Sequence, residues 1–251
     1  MSDPSTQPAK SIAHDAVHDL LHFDRKIFRT LPVLLLKPGL LTKKSLEGEQ
    51  NAFVKPFGLF IFLNFIFFLF KSKGLFNYRL SIYSNQFGRF ISQKQKALGL
   101  TTEILTERFN TAMHFEEKEY LVLMVPLFAV VLQVLFWRKM KSFSTHFIFS
   151  LHFYSFFIIL LMVLPLVFVP AQWLVQLFSP GSNVMYSELI FGSVIIAVNI
   201  FYLTRAVNLV YGGRRLLNTI KSVLLSISVV LLIAFVYRTL MFFVVMHSIS
   251  E

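Results

Sequence analysis

The sequence predicts an all-α protein: a polytopic transmembrane helical bundle of about five spans, with an amphipathic N-terminal interfacial helix and a partly helical outer loop. Three observations predict it. The 251 residues are 55% hydrophobic and only 15% charged, where a soluble domain carries about 25% charge. The apolar residues, 30 of them Phe, come in long blocks rather than alternating with polar ones, which marks membrane spans. The blocks are punctuated by short basic clusters such as Arg138-Lys139-Met140-Lys141.

Residues 1–10, with two Pro and several Ser and Thr, predict a disordered tail. Residues 11–52 predict a cytoplasmic amphipathic segment. Within it, Ile12, Val17, Leu20, Leu21, Phe28 and Leu31 gather mostly on one helical face, and a helix with such a stripe lies in the membrane interface. Leu31–Leu36 is too short to span and runs into the Lys37-Pro38-Gly39 turn.

Residues 53–251 form the transmembrane domain. Span 1 is 53–70, at the short end of the spanning range, with Lys55-Pro56 at its entry and Asn64 near its middle. The alternative is a four-span chain with this segment lying in the interface. Residues 71–119 predict an outer loop in which Thr102–His114 is helical, with Ile104, Leu105, Arg108, Phe109, Ala112 and Met113 along one stripe. Span 2 is 120–137 and contains Pro126, which membrane helices tolerate. Span 3 is 147–169, closed by Pro170. Span 4 is about 184–203, its helical pattern continuing past Arg205 to the Gly212-Gly213 stop. Span 5 is about 223–246, interrupted by Arg238.

The net charge of +11 fits Lys and Arg that flank spans and set topology. There is no zinc-finger spacing and no basic–aromatic RNA motif, so nucleic acid is not an expected partner. The 2–3 and 4–5 connections are basic, with Arg138, Lys139 and Lys141 in one and Arg205, Arg214, Arg215 and Lys221 in the other; the 3–4 loop, Pro170 to Asn183, holds no basic residue. The basic connections are therefore expected in the cytoplasm, with the N-terminus cytoplasmic and the C-terminus periplasmic. Residues 71–119 oppose this with eight Lys and Arg, partly offset by five Glu.

The absence of Cys excludes disulfides and thiolate metal sites. His14, His18 and His22 line up at helical spacing beside Asp15 and Asp19, but the pattern also describes a polar stripe on a surface helix, and no metal and no cofactor is expected. The candidate intramembrane polar residues are Asn64, Gln133, His146, His152, Asn199 and Arg238. His146 and His152 stand six residues apart and so point to different helical faces. An intramembrane Arg faces the bundle interior or snorkels, and if Arg238 is interior its expected partners are Asn64, Gln133 and Asn199. All four Asp precede residue 25, and no carboxylate stands inside a span. Proton coupling and hydrolysis commonly need one, and no catalytic residues are expected.

Two blocks carry a family resemblance. Phe23-Asp24-Arg25-Lys26, Thr30-Leu31, Leu34-Leu35-Leu36-Lys37-Pro38-Gly39, Leu46-Glu47-Gly48 and Val54-Lys55-Pro56-Phe57, then Val125-Pro126-Leu127-Phe128-Ala129 and Thr145-His146-Phe147-Ile148-Phe149-Ser150-Leu151-His152, resemble the bacterial membrane family catalogued as domain of unknown function 3667. That family is common in Bacteroidota. With the Tyr211-Gly212 helix end, the resemblance covers about residues 14–245. It implies a helical inner-membrane protein and no assigned activity. The Cys-rich zinc ribbon that opens many members is missing, Glu49-Gln50 stand where basic residues are frequent, and Thr145 stands where Glu is frequent. The expectation is a non-enzymatic inner-membrane component that binds membrane lipid, a protein partner or a second copy of itself. The alternative is a small-solute channel or transporter; a membrane-embedded enzyme is more distant.

Overall fold

The structure is a computed structural model. It describes residues 25–49, 51–69, 79–116, 119–140, 142–181 and 188–249. The predicted tail, the histidine triplet at His14, His18 and His22, and the start of the predicted fourth span lie outside these residues. Every described element is helical.

Helix α1 covers residues 25–36 and the seven-residue α2 covers Leu40–Leu46. Gly39 separates them with φ of 83°, a conformation that costs an L side chain roughly 1–2 kcal/mol. A Cβ there would also stand 2.8 Å from the Ala206 backbone. The turn is thus pressed against another helix, and α2 packs between two long helices with Leu41 and Thr42 buried. The Lys37-Pro38-Gly39 turn and the short helix after it are wedged into the bundle rather than laid along its surface.

Helix α3 (Pro56–Leu69) is apolar on all sides. Its 14 residues reach roughly 21 Å, short of a hydrocarbon core of about 30 Å. The span-2 segment begins with a 3₁₀ stretch, Glu119–Leu123, and continues as α6 (Met124–Phe136). The 3₁₀ rise of about 2 Å per residue brings this pair to roughly 30 Å.

Helix α7 (Phe143–Phe178) is the centre of the molecule. Every residue from Phe149 to Ile158 is buried, as expected only for a helix surrounded by others. It contacts α2, α3, α6 and α8. The sequence pattern ends this span at 169, whereas the helix passes Pro165 and Pro170 and continues nine residues beyond 169, to Phe178. A proline costs less in apolar surroundings, where neighbouring groups re-satisfy the carbonyl it frees.

Helix α8 (Glu188–Tyr211) and α9 (Arg215–Leu231) form a hairpin about Gly212-Gly213. The last predicted span therefore starts at Arg215 rather than near 223. It continues through a π-helical turn, Leu232–Tyr237, into α10 (Arg238–Ser248). Among the described residues, three helices are long and apolar enough to cross a membrane: α7, the 190–211 portion of α8, and the continuous 215–248 rod. Pro56–Leu69 and Leu121–Phe136 are shorter apolar helices.

Residues 71–119 contain more structure than the sequence suggests. Besides α5 (Thr102–Glu116) they form α4 (Leu80–Leu98), and the two make a hairpin against α10. Leu105, Phe109 and Met113 of the predicted stripe are buried, while Ile104 and Arg108 are exposed. Tyr83, Phe87, Phe109 and Phe242 form the contact, with the Phe87 and Phe242 rings stacked 4.5 Å apart and Tyr83 5.0 Å from Phe242.

Candidate functional site

The polar side chains inside this apolar bundle fall into separate places, each tying two elements together. At the connected end of the α6–α7 hairpin, the ring of His146 is fully buried. Its Nε2 lies 3.1 Å from the Met140 carbonyl and its Nδ1 lies 2.8 Å from the Tyr211 hydroxyl. A carbonyl only accepts, so Nε2 carries the proton, and the neutral ring accepts the Tyr211 O–H at Nδ1. Tyr211 also stacks on Phe136 at 4.1 Å. One tyrosine therefore joins α6, α7 and α8.

The same end holds two lysines. Lys139 Nζ donates to the Tyr211 and Gly212 carbonyls, and Lys221 Nζ donates to the Leu135 carbonyl at 2.6 Å while lying 4.4 Å above the Phe136 ring. These carbonyls belong to the last turns of α6 and α8, where the negative end of the helix dipole favours a cation. Asn218 closes the arrangement, donating to Asn208 Oδ1 at 2.8 Å and to the Gly212 carbonyl at 2.9 Å. Gly213 has φ of 94°, and a Cβ on it would occupy the space of the Lys139 side chain. The two basic connections thus meet at one end of the bundle.

His152 lies one and two-thirds turns further along α7 and belongs to a different contact. Its Nδ1 is 3.0 Å from Thr42 Oγ1 on α2, and both residues are buried. Nearby on α7, Ser150 donates to the Val125 carbonyl of α6 at 2.6 Å. Thr30 does the same service for α1, accepting the Val54 N–H at 3.0 Å while donating to the Lys26 carbonyl.

Arg238 stands elsewhere again. It donates to the Ile82 carbonyl at 2.9 Å and lies 4.9 Å from the Tyr83 ring centroid, while the Tyr83 hydroxyl donates to the Arg238 carbonyl. These contacts are with α4, a helix that the sequence pattern left within the outer loop. The π turn explains the direction. The buried stripe steps by seven residues from Ser222 to Val229 but by eight from Val229 to Tyr237. The extra residue keeps Tyr237, Met241 and Val245 inward and brings Arg238 to the flank facing α4.

The remaining candidates are not gathered into one site. Asn64 is on α3, Gln133 on α6 and Asn199 on α8. The Oδ1 atoms of Asn64 and Asn199 are buried without a hydrogen-bond partner, as are the hydroxyls of Thr204 and Ser226. Asn199, Thr204 and Ser226 all belong to the α8–α9 hairpin. A shallow open concavity runs along α5, lined by Thr102, Glu103, Thr106 and Glu107; none of the candidates lines it. Among the described residues, no three His, Asp or Glu side chains come close enough to hold a metal ion.

Thr42, Lys139, Asn218 and Lys221 are absent from the candidate set. For Thr42 the sequence contains no signal, because its importance comes from a contact 110 residues away. For the lysines the signal is present: both belong to basic connections already read as facing one side. α4 also had one, an apolar series Leu80, Tyr83, Phe87, Phe90 and Ile91 closed by Gly99 at φ of 62°.

Residues 24–68 match the family described as "Protein of unknown function (DUF3667)". That stretch contains the first block of the resemblance except Phe23, and most of α1 to α3, including Thr30, Gly39 and Thr42. No curated protein and no solved structure matches the chain.

Proposed function

We propose that this chain is a multi-pass protein of the bacterial inner membrane that works without catalysis, as a component binding membrane lipid or a protein partner. The observation that carries the reading is the division of labour between inside and outside. The interior histidines are engaged in helix-to-helix hydrogen bonds, His146 with Tyr211 and His152 with Thr42. The outside presents broad apolar faces: Phe57, Ile61, Phe65 and Phe68 on α3, and Leu216, Ile220, Leu224 and Ile227 on α9, are all exposed. Contiguous exposed apolar surface of this kind marks membrane or partner contact. The basic connections meeting at one end support a cytoplasmic position for that end, with the N-terminus on the same side and the C-terminus periplasmic.

Affinity purification in mild detergent, with identification of the lipids and proteins retained, tests the reading. Recovery of a stoichiometric lipid or partner is the expected result. Recovery of the chain in the soluble fraction, or of a chain stabilised only by small solutes, would overturn it.

A second reading, a small-solute channel or transporter, is favoured by one observation. Asn199, Thr204 and Ser226 leave buried polar atoms unpaired within a single hairpin, and such groups cost about 1–3 kcal/mol each unless water or a solute satisfies them. Solute flux into proteoliposomes that is abolished by Asn199→Leu would support it.

A further inference from the structure

We propose that the junction of Lys139 and Lys221, bordered by Arg138, Arg214 and Arg215, binds the phosphate of an anionic phospholipid. The inference rests on the membrane reading above and specifies the lipid contact within it.

The first support is a local charge imbalance in the second half of the chain. Residues 120–187 and 189–250 contain no Asp or Glu, yet eight Lys and Arg lie among them. Among the described residues, the ion pairs Lys43–Glu47 and Lys44–Glu49 are on and just after α2. None of the five basic residues at the junction has a carboxylate in salt-bridge range among the described residues. An anion from outside the described residues would supply their counter-charge.

The second support is convergence. Lys139 and Lys221 flank the stacked pair Phe136 and Tyr211, the first on the Tyr211 and Gly212 carbonyls and the second over the Phe136 ring. They are close enough to repel one another electrostatically, an arrangement that an anion between them would relieve. An ammonium has three donors. Two on Lys139 and one on Lys221 are engaged with carbonyls, which leaves donors on both for phosphate oxygens.

The third support distinguishes a lipid from a free anion. Leu216, Leu217 and Ile220 are exposed on α9, interleaved with Arg215 and Lys221. Trp137, two residues before Lys139, is exposed, with the Arg138 guanidinium 5.7 Å from its ring. A Trp–Arg pair at a helix end marks headgroup depth. Cationic groups above an apolar wall match a molecule with a phosphate head and acyl chains. Basic pockets between helix ends bind such headgroups.

The lysines also cap two helix ends, so a loss after changing them could reflect weakened structure alone. Arg214 and Arg215 are exposed, and the Arg214→Gln/Arg215→Gln double variant leaves both caps intact. The test uses the full chain, delipidated in detergent. It is titrated with phosphatidylglycerol, with phosphatidylcholine and with inorganic phosphate, reading thermal stabilisation and lipid retained in native mass spectrometry. Phosphatidylglycerol is expected to bind and stabilise, and the other two are not. The arginine pair and the Lys139→Gln/Lys221→Gln pair should each weaken phosphatidylglycerol roughly tenfold or more, while Lys96→Gln on α4 should leave it unchanged. Equal response to phosphatidylcholine or to inorganic phosphate, or full affinity in the arginine variant, would overturn the site. A chain absent from the membrane fraction would instead overturn the reading on which it rests.

Discussion

Tyr211 shows how much one side chain can join in a bilayer protein. Its ring packs against Phe136 and its hydroxyl satisfies the buried Nδ1 of His146. Tyr211→Phe retains the ring and removes only the hydroxyl, leaving a buried acceptor unpaired. The expected loss is about 1–2 kcal/mol, measured by denaturant unfolding in micelles; an unchanged midpoint would mean that the hydroxyl contributes nothing to the junction. The sequence places His146 and His152 on different faces, because a helical angle follows from spacing alone. It could not supply Tyr211 or Thr42 as their partners, which stand 65 and 110 residues away. Gly39 was legible as a turn. The reason it must be Gly was not, since the backbone of Ala206 that it touches comes from another helix.

Among the elements, the π turn at Leu232–Tyr237 has the largest consequence. Deleting Ala234 removes the additional residue and should rotate α10 by about 100° relative to α9. Arg238 would then leave Ile82 and Tyr83, and Phe242 would leave the aromatic cluster. Hydrogen exchange across residues 80–116 should accelerate strongly in the deletion and modestly in Arg238→Gln; unchanged exchange in both would show that α10 does not hold the α4–α5 hairpin. Neither the π turn nor α4 was read from the sequence. The π turn is a response to packing, keeping one buried stripe in phase along a rod of 34 residues. α4 has a short apolar stripe on an otherwise polar helix, and that stripe acquires meaning only when α10 lies against it. The continuation of α7 past Pro170 is illegible in the sequence for a related reason: proline marks a helix end there, and only surrounding groups that re-satisfy the freed carbonyl let the helix continue.

For the whole molecule, the meeting of Lys139 with Gly212 places the α6–α7 and α8–α9 connections together. The native chain has no Cys, so an introduced thiol is the sole one. Ser142→Cys and Arg214→Cys should both resist an impermeant thiol reagent applied to intact cells, while Ser179→Cys at the other end of α7 should react. Opposite labelling of Ser142→Cys and Arg214→Cys would contradict the fold; reversal of all three would contradict only the orientation.

The sequence by itself determined the helical class, the apolar blocks and the basic connections between them, because composition and periodicity are local properties that a bilayer reads one segment at a time. Only the tertiary structure decided which polar groups meet: Thr42 with His152, Tyr211 with His146, Arg238 with α4, and Lys139 with Lys221 around one aromatic pair. Those meetings depend on helix register and on the angle at which Gly39, the Gly212-Gly213 turn and the π segment deliver the next element. No single stretch of sequence encodes them.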